Sequence, residues 1–341
     1  MSTADAVAVV LWVGVTLYAV FGGADFGAGM WSLLAGDGER GQRARALVDW
    51  AIGPVWEANH VWLIFVLVVL WTGFSVAFES VMSTLFIPLS LAALGIVLRG
   101  SGFAFHKLAR QIRYRRLAER LFGLFSLLTP FFMGAVVGAI ASGRVPVGNA
   151  AGDAVTSWLN VVSLLTGALF VATGAYLSAV FLVSDARRAG DSDLERYFAT
   201  RALVAAVVAG AIAVAGIFAF RADARYIYDG LVGDALPLVI ASALFGIAVL
   251  VLLWRGERRG ARPLAVGAVV AVIWGWGVAQ YPYLLPQTLT IKEGAASSAT
   301  LTGVLITFGV AVVVVLPALG FLYTLAQRNV LEEEGQVPPS R

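Results

Sequence analysis

Gly53-Pro54-Val55-Trp56-Glu57-Ala58-Asn59-His60-Val61-Trp62 stands at the head of an apolar run that ends near Phe74. It puts a carboxylate, an amide and an imidazole into what otherwise reads as a membrane-spanning helix. An ionisable side chain at that depth costs ~2.5–3.5 kcal/mol on insertion scales, so it marks a functional site by default. The preceding apolar segment carries a second acid, Asp25, in Phe21-Gly22-Gly23-Ala24-Asp25-Phe26-Gly27-Ala28-Gly29-Met30. The two segments read as a hairpin that holds a pair of carboxylates.

Composition agrees with a membrane protein. Hydrophobic residues make up 60% and charged residues 13% of the 341-residue chain, with a mean hydropathy of +0.85; soluble domains carry about 25% charge. The net charge of +3 fits basic cytoplasmic loops and gives no sign of nucleic-acid binding. The absence of cysteine removes disulfides, thiolate metal sites and cysteine nucleophiles. The first apolar run is too long for a signal peptide and reads as a retained helix. No P-loop, zinc-protease, nucleophile-elbow or dinucleotide motif is present.

Outward from the opening stretch, nine spans can be drawn, at about 6–34, 50–73, 77–98, 121–141, 158–183, 202–220, 236–254, 263–281 and 300–326. Of the 24 Lys and Arg, twenty fall in the loops on one side and four (Arg144, Arg221, Arg225 and Lys292) on the other. The positive-inside rule then puts the N-terminus outside and the C-terminus in the cytoplasm. The expected fold is an all-α membrane protein of nine transmembrane helices, two four-helix bundles plus one peripheral helix. Residues 1–330 form one transmembrane domain and 331–341 a disordered cytoplasmic tail. Gly23-Ala24-Asp25-Phe26-Gly27-Ala28 and Gly174-Ala175-Tyr176-Leu177-Ser178-Ala179 share a faint pattern that hints at two halves, although small-residue helices also match by chance. The basic segment Phe105–Leu121 reads either as an amphipathic helix on the cytoplasmic leaflet or as a solvated loop.

On this scheme Asp25 and Glu57 both sit roughly 10–14 Å below the cytoplasmic face, in one layer. They read as proton-handling groups or as satisfied structural acids. Gly23 and Gly27 form a GxxxG that lets helices approach closely. His60 lies three residues after Glu57 on the same face and reads as its hydrogen-bonding neighbour or as a metal or haem ligand. Arg99 closes the third span as a boundary anchor, or as the counter-ion of a carboxylate, lipid or quinone head group.

These motifs resemble subunit II of the cytochrome bd quinol oxidases. The resemblance rests on the two stretches quoted, with Leu98-Arg99-Gly100, Thr129-Pro130-Phe131-Phe132-Met133-Gly134, Tyr281-Pro282-Tyr283 and Leu289-Thr290-Ile291 in support. It implies a multi-pass subunit of a prokaryotic cell-membrane oxidase with no catalytic centre and no cofactor of its own. The b-type and d-type haems and the quinol would belong to the partner, subunit I, with small single-span accessory subunits, membrane lipids and a structural quinone or lipid as further candidates. It also implies a proton path from the cytoplasm along Asp25 and Glu57, to which His60 is added as the neighbour of Glu57, with Arg99 as quinone or carboxylate partner. Two positions depart from the family: Ala104 stands where members often have an acid, with His106 nearby, and His60 stands where others have Gln or Glu. A proton-coupled secondary transporter and a purely structural scaffold subunit are the competing readings.

Overall fold

A computed structural model describes residues 2–52, 56–108, 112–257 and 259–327, and the side chains of these except 56–58, 103–108, 112–116, 316, 319, 323, 326 and 327. The fold is almost entirely helical. The first helix, α1 (Thr3–Leu17), begins with a capping box in which Ser2 and Asp5 satisfy each other's backbone N–H groups. It passes through one π-helical segment, Tyr18–Gly22, into α2 (Gly23–Leu33). Such a π segment shifts the face that the following residues present, and it delivers Asp25 into the interior.

Next comes α3 (Glu39–Ile52), whose stripe of Gly41, Ala44, Leu47, Val48 and Ile52 at helical spacing is buried. Its apolar members pack with Leu182, Ala186 and Phe198. Helix α4 (Trp56–Gly73) then turns through 118° at Phe74 into the short α5 (Ser75–Thr84), and α6 (Phe86–Leu108) follows. The expected spans at 50–73 and 77–98 are therefore divided differently. Residues 50–52 belong to α3, and the second of the two spans is broken at Leu85. Hydropathy detects apolar length but not the direction of the axis, so two helices on either side of a break read as one.

The segment Phe105–Leu121 contains no separate amphipathic helix among the described residues. It is shared between the end of α6 and the start of α7 (Ile112–Ala141). The basic side chains up to Arg116 lie outside the described ones, as do Ala104, His106 and the tail beyond 327.

The remaining helices are α8 (Val161–Arg188), α9 (Ser192–Asp223), α10 (Arg225–Val232), α11 (Leu236–Trp254), α12 (Ala261–Gln280) and α13 (Ser298–Gln327). A two-stranded hairpin, β1 (Tyr283–Leu285) and β2 (Leu289–Thr290), precedes α13. Asn160 caps α8 by accepting from the Ser163 N–H, and Asp191 caps α9 by accepting from those of Asp193 and Leu194. Among the described residues seven helices are long and apolar enough to cross a membrane, or eight if the bent α4–α5 pair counts as one span; Phe86–Gly102 is shorter but also apolar.

Helix α8 is the central element, packed against α2, α7, α9 and α12. Its contact with α2 brings together the two segments that share a sequence pattern. A Cβ on Gly27 would collide with the Gly174 carbonyl oxygen, and a Cβ on Gly174 would come within 2.7 Å of the Gly23 carbonyl oxygen. Gly23 itself faces open space. At the other extreme, none of the apolar window of α13 is buried, and only 6% of that of α9. Both present bare apolar flanks, as helices facing lipid do.

Candidate functional site

Asp25 is the third residue of α2, in its first turn just after the π segment, and it is 3% exposed. The Asn59 amide on α4 donates to its Oδ2 at 3.0 Å, and Asn59 is as deeply buried. The sequence expectation put Glu57 in the same layer. The backbone of Glu57 is the second residue of α4, about 3 Å along the axis from Asn59. Its side chain lies outside the described ones.

Among the described residues Arg99 is the largest fully buried side chain, 1% exposed. Its Nε donates to Ser126 Oγ at 2.9 Å and its Nη2 to the backbone carbonyl of Asp25 at 3.2 Å. The guanidinium is stacked between the rings of Phe26 and Phe122, 4.9 and 4.8 Å from their centroids. A desolvated cation held this way gains from both ring faces. Ser126 in turn donates to the Phe122 carbonyl at 2.7 Å, which leaves its lone pairs turned toward Nε. Its hydroxyl fits because Gly29 opposes it: a Cβ there would overlap Ser126 Oγ.

The guanidinium is thus an interior group. Helix α6 runs on to Leu108, nine residues beyond Arg99, so the end of the apolar window does not mark the end of the helix. Among the described ion pairs none joins Arg99 to the Asp25 carboxylate; the link runs through the Asp25 backbone.

His60, half-buried, places its ring 6.3 Å from that of Tyr18 and 6.0 Å from that of Phe26. The Tyr18 hydroxyl reaches Met133 Sδ at 3.8 Å. Among the described residues no three His, Asp or Glu side chains gather as a metal site would require. The structure therefore gathers Asp25, Arg99 and His60 around Phe26. It adds Asn59, Ser126, Tyr18 and Phe122, which sequence reasoning did not assign. Asn59 was visible as the amide of the opening stretch, and Ser126 as a hydroxyl in an otherwise apolar span.

With this geometry in view, likeness to known proteins becomes informative. The chain matches the family described as cytochrome bd terminal oxidase subunit II over residues 3–326. A Bacillus subtilis (strain 168) chain provisionally named cytochrome bd menaquinol oxidase subunit II is 24% identical over 332 residues, covering 94% of each chain. The cytochrome bd-I ubiquinol oxidase subunit 2 of Escherichia coli (strain K12) is 28% identical over 137 residues, 39% of this chain and 35% of that one. Among solved structures, the bd oxidase from Geobacillus thermodenitrificans has a chain of 27% identity that superposes with a TM-score of 0.76, covering 95% of this chain and 98% of that one. A buried acid and arginine inside a helical membrane fold, and a family match across almost the whole length, lead to one conclusion: the chain belongs to the cytochrome bd terminal oxidase subunit II family, and so to a quinol oxidase complex.

Proposed function

We propose that this chain is the haem-free second subunit of its oxidase, standing beside a haem-bearing subunit I in the prokaryotic cell membrane and lining a proton path from the cytoplasm toward the oxygen-reducing haems. The observation that carries this reading is the buried Asp25 carboxyl with one oxygen engaged. Oδ2 accepts from Asn59, so Oδ1 is the atom that takes and releases the proton. Asn59 holds the carboxyl in one orientation, and the Arg99 guanidinium, bonded to the Asp25 carbonyl, offsets the cost of charge when the proton leaves. Glu57, half a turn before Asn59, is the second acid of the route, with His60 beside it. In this family the haems supply the electron transfer and oxygen chemistry; the part of this chain is to hold and pass protons.

Its haem-free character is supported by the scarcity of axial ligands, since His60 is the one histidine in a span and Met133 Sδ is engaged by Tyr18. The chain purified alone is expected to be colourless, and stoichiometric b- or d-type bands would contradict that. Counting Asn59–Gly73 and Phe86–Gly102 as separate crossings gives nine, with α5 lying between them. The lopsided charge then supports an external N-terminus, and the bare flanks of α13 support its place as the peripheral helix. Reporter fusions after Arg188 are expected to read cytoplasm and after Asp229 the outside; the reverse would invert the proton path.

The route itself is tested at Glu57. Glu57→Gln keeps size and hydrogen bonding but loses the titratable group, whereas Glu57→Asp keeps it on a shorter arm. Turnover per haem is expected to fall about tenfold or more in the first and to be partly retained in the second. Equal losses in both, tracking loss of assembled complex, would favour a structural role.

A further inference from the structure

Helix α9 enters its apolar stretch at Arg201, and the guanidinium there turns back over the ring of Tyr197, one turn earlier, with Cζ 3.3 Å from the ring centroid. Tyr197 is buried, and its hydroxyl has no partner. A second guanidinium, that of Arg40 on α3, lies over the same ring at 5.0 Å. Arg43, one turn further along α3, is bonded to Asp191 and Asp193 at the head of α9, and so holds the two helices together there. Trp31 of α2 lies 5.8 Å from Arg201 and is fixed by its indole bond to the Ala175 carbonyl.

Two like charges are thus gathered without an acid. The two distances cap the gap between the guanidinium carbons at about 8 Å, no more than the screening length at physiological salt, so the charges repel. Among the described ion pairs none includes Arg40 or Arg201. Asp191 and Asp193 are taken by Arg43, and Asp185 by Arg188 and Arg262. Arg201 spends one N–H on the Tyr197 carbonyl, at 3.3 Å, and Arg40 spends none on a described partner, so most of their donors remain for an oxyanion.

The neighbouring surface favours one kind of oxyanion. Val204, Val208, Ala211, Ala215 and Phe218 follow Arg201 at helical spacing, and all are exposed, Phe218 to 65%. This stripe runs about 21 Å along the axis, more than the ~15 Å depth of the hydrocarbon of one leaflet. Tyr and Trp beside a cation at the start of an apolar stretch are the residues that settle at headgroup level. This end of α9 is also the one expected at the cytoplasmic leaflet, whose surface is negative.

We propose that Arg40 and Arg201 form a binding site for the phosphate of one anionic phospholipid, whose acyl chains lie along the exposed stripe of α9. The two guanidiniums share the phosphate oxygens, which offsets their repulsion, and the lipid fastens α3 to α9 at the membrane surface. The site is read from these residues alone and holds whatever path the proton takes.

The test is native mass spectrometry of the purified complex, stripped of loosely held lipid and titrated with phosphatidylglycerol, phosphatidylcholine or inorganic phosphate. The wild type is expected to retain one phosphatidylglycerol more than the Arg40→Gln complex, in which affinity at this site falls about fivefold or more at normal haem content. Arg40 is exposed, so this variant tests the site even if Arg201→Gln fails to assemble. Arg196→Gln, which removes an equal charge from the exposed start of α9, should leave retention unchanged. Equal retention of phosphatidylcholine and phosphatidylglycerol, or no change in Arg40→Gln, overturns the site. An equal loss in Arg196→Gln overturns it in favour of diffuse surface charge. Displacement of the lipid by millimolar inorganic phosphate overturns the lipid as occupant in favour of a free anion. A wild type that retains no phosphatidylglycerol also overturns it, as when a carboxylate of the partner subunit fills the place.

Discussion

Arg99→Met should strip the membrane of assembled, haem-containing complex. The guanidinium is buried at the junction of α2, α6 and α7, where it ties the Asp25 carbonyl to Ser126 and fills the slot between Phe26 and Phe122. Methionine would fill much of the slot, but it would leave the Asp25 carbonyl and the Ser126 hydroxyl short of a donor. It would also leave a buried acid without its positive neighbour. Breaking a buried charged group's contacts from one side typically costs about 3–5 kcal/mol, a large part of any domain's margin. Arg99→Lys should rescue little, because a single ammonium cannot reproduce the planar fork that meets Ser126 and Asp25 at once. Adding Asp25→Asn to Arg99→Met should recover part of the loss, since the stranded charge is then gone. The check is haem per protein and the thermal midpoint of the purified complex. A wild-type midpoint in Arg99→Met would mean that the guanidinium holds nothing together.

The site was legible in the sequence where charge met apolar length. Asp25 announces itself because an ionisable group inside a hydrophobic window carries a cost that the sequence alone reveals. Asn59 and Ser126 carry no charge, and an isolated amide or hydroxyl in a span has no such signature. What they do became visible only once Asn59 was seen bonded to Asp25 and Ser126 to Arg99. Gly27 was legible as a packing residue from its spacing, yet the partner it meets, Gly174, lies far along the chain and only the tertiary structure supplies it.

Helix boundaries failed where direction changed without a change in hydropathy. Leu85 interrupts an apolar stretch with an apolar residue, so a hydropathy window passes over that break, whereas the turn at Phe74 falls between the expected spans at 50–73 and 77–98. Arg99 shows the opposite error. It is the first charge after a long apolar run and so looks like the end of a span, although the helix continues to Leu108 and the side chain turns inward.

The second large effect is expected at Asp25. Asp25→Asn is close to isosteric, leaves the backbone carbonyl free to accept from Arg99, and still offers Asn59 an oxygen. It removes one thing, the ability of this buried position to take and release a proton. A group that transfers protons in the rate-determining path is commonly worth on the order of a hundredfold or more. If Asp25 only fixed helix packing, the same substitution should be nearly silent, or should lower activity in step with the amount of complex. The decisive measurement is quinol-driven oxygen uptake per haem in the purified Asp25→Asn complex. A proton route through Asp25 predicts normal haem content with turnover reduced by about two orders of magnitude; wild-type turnover per haem would contradict it.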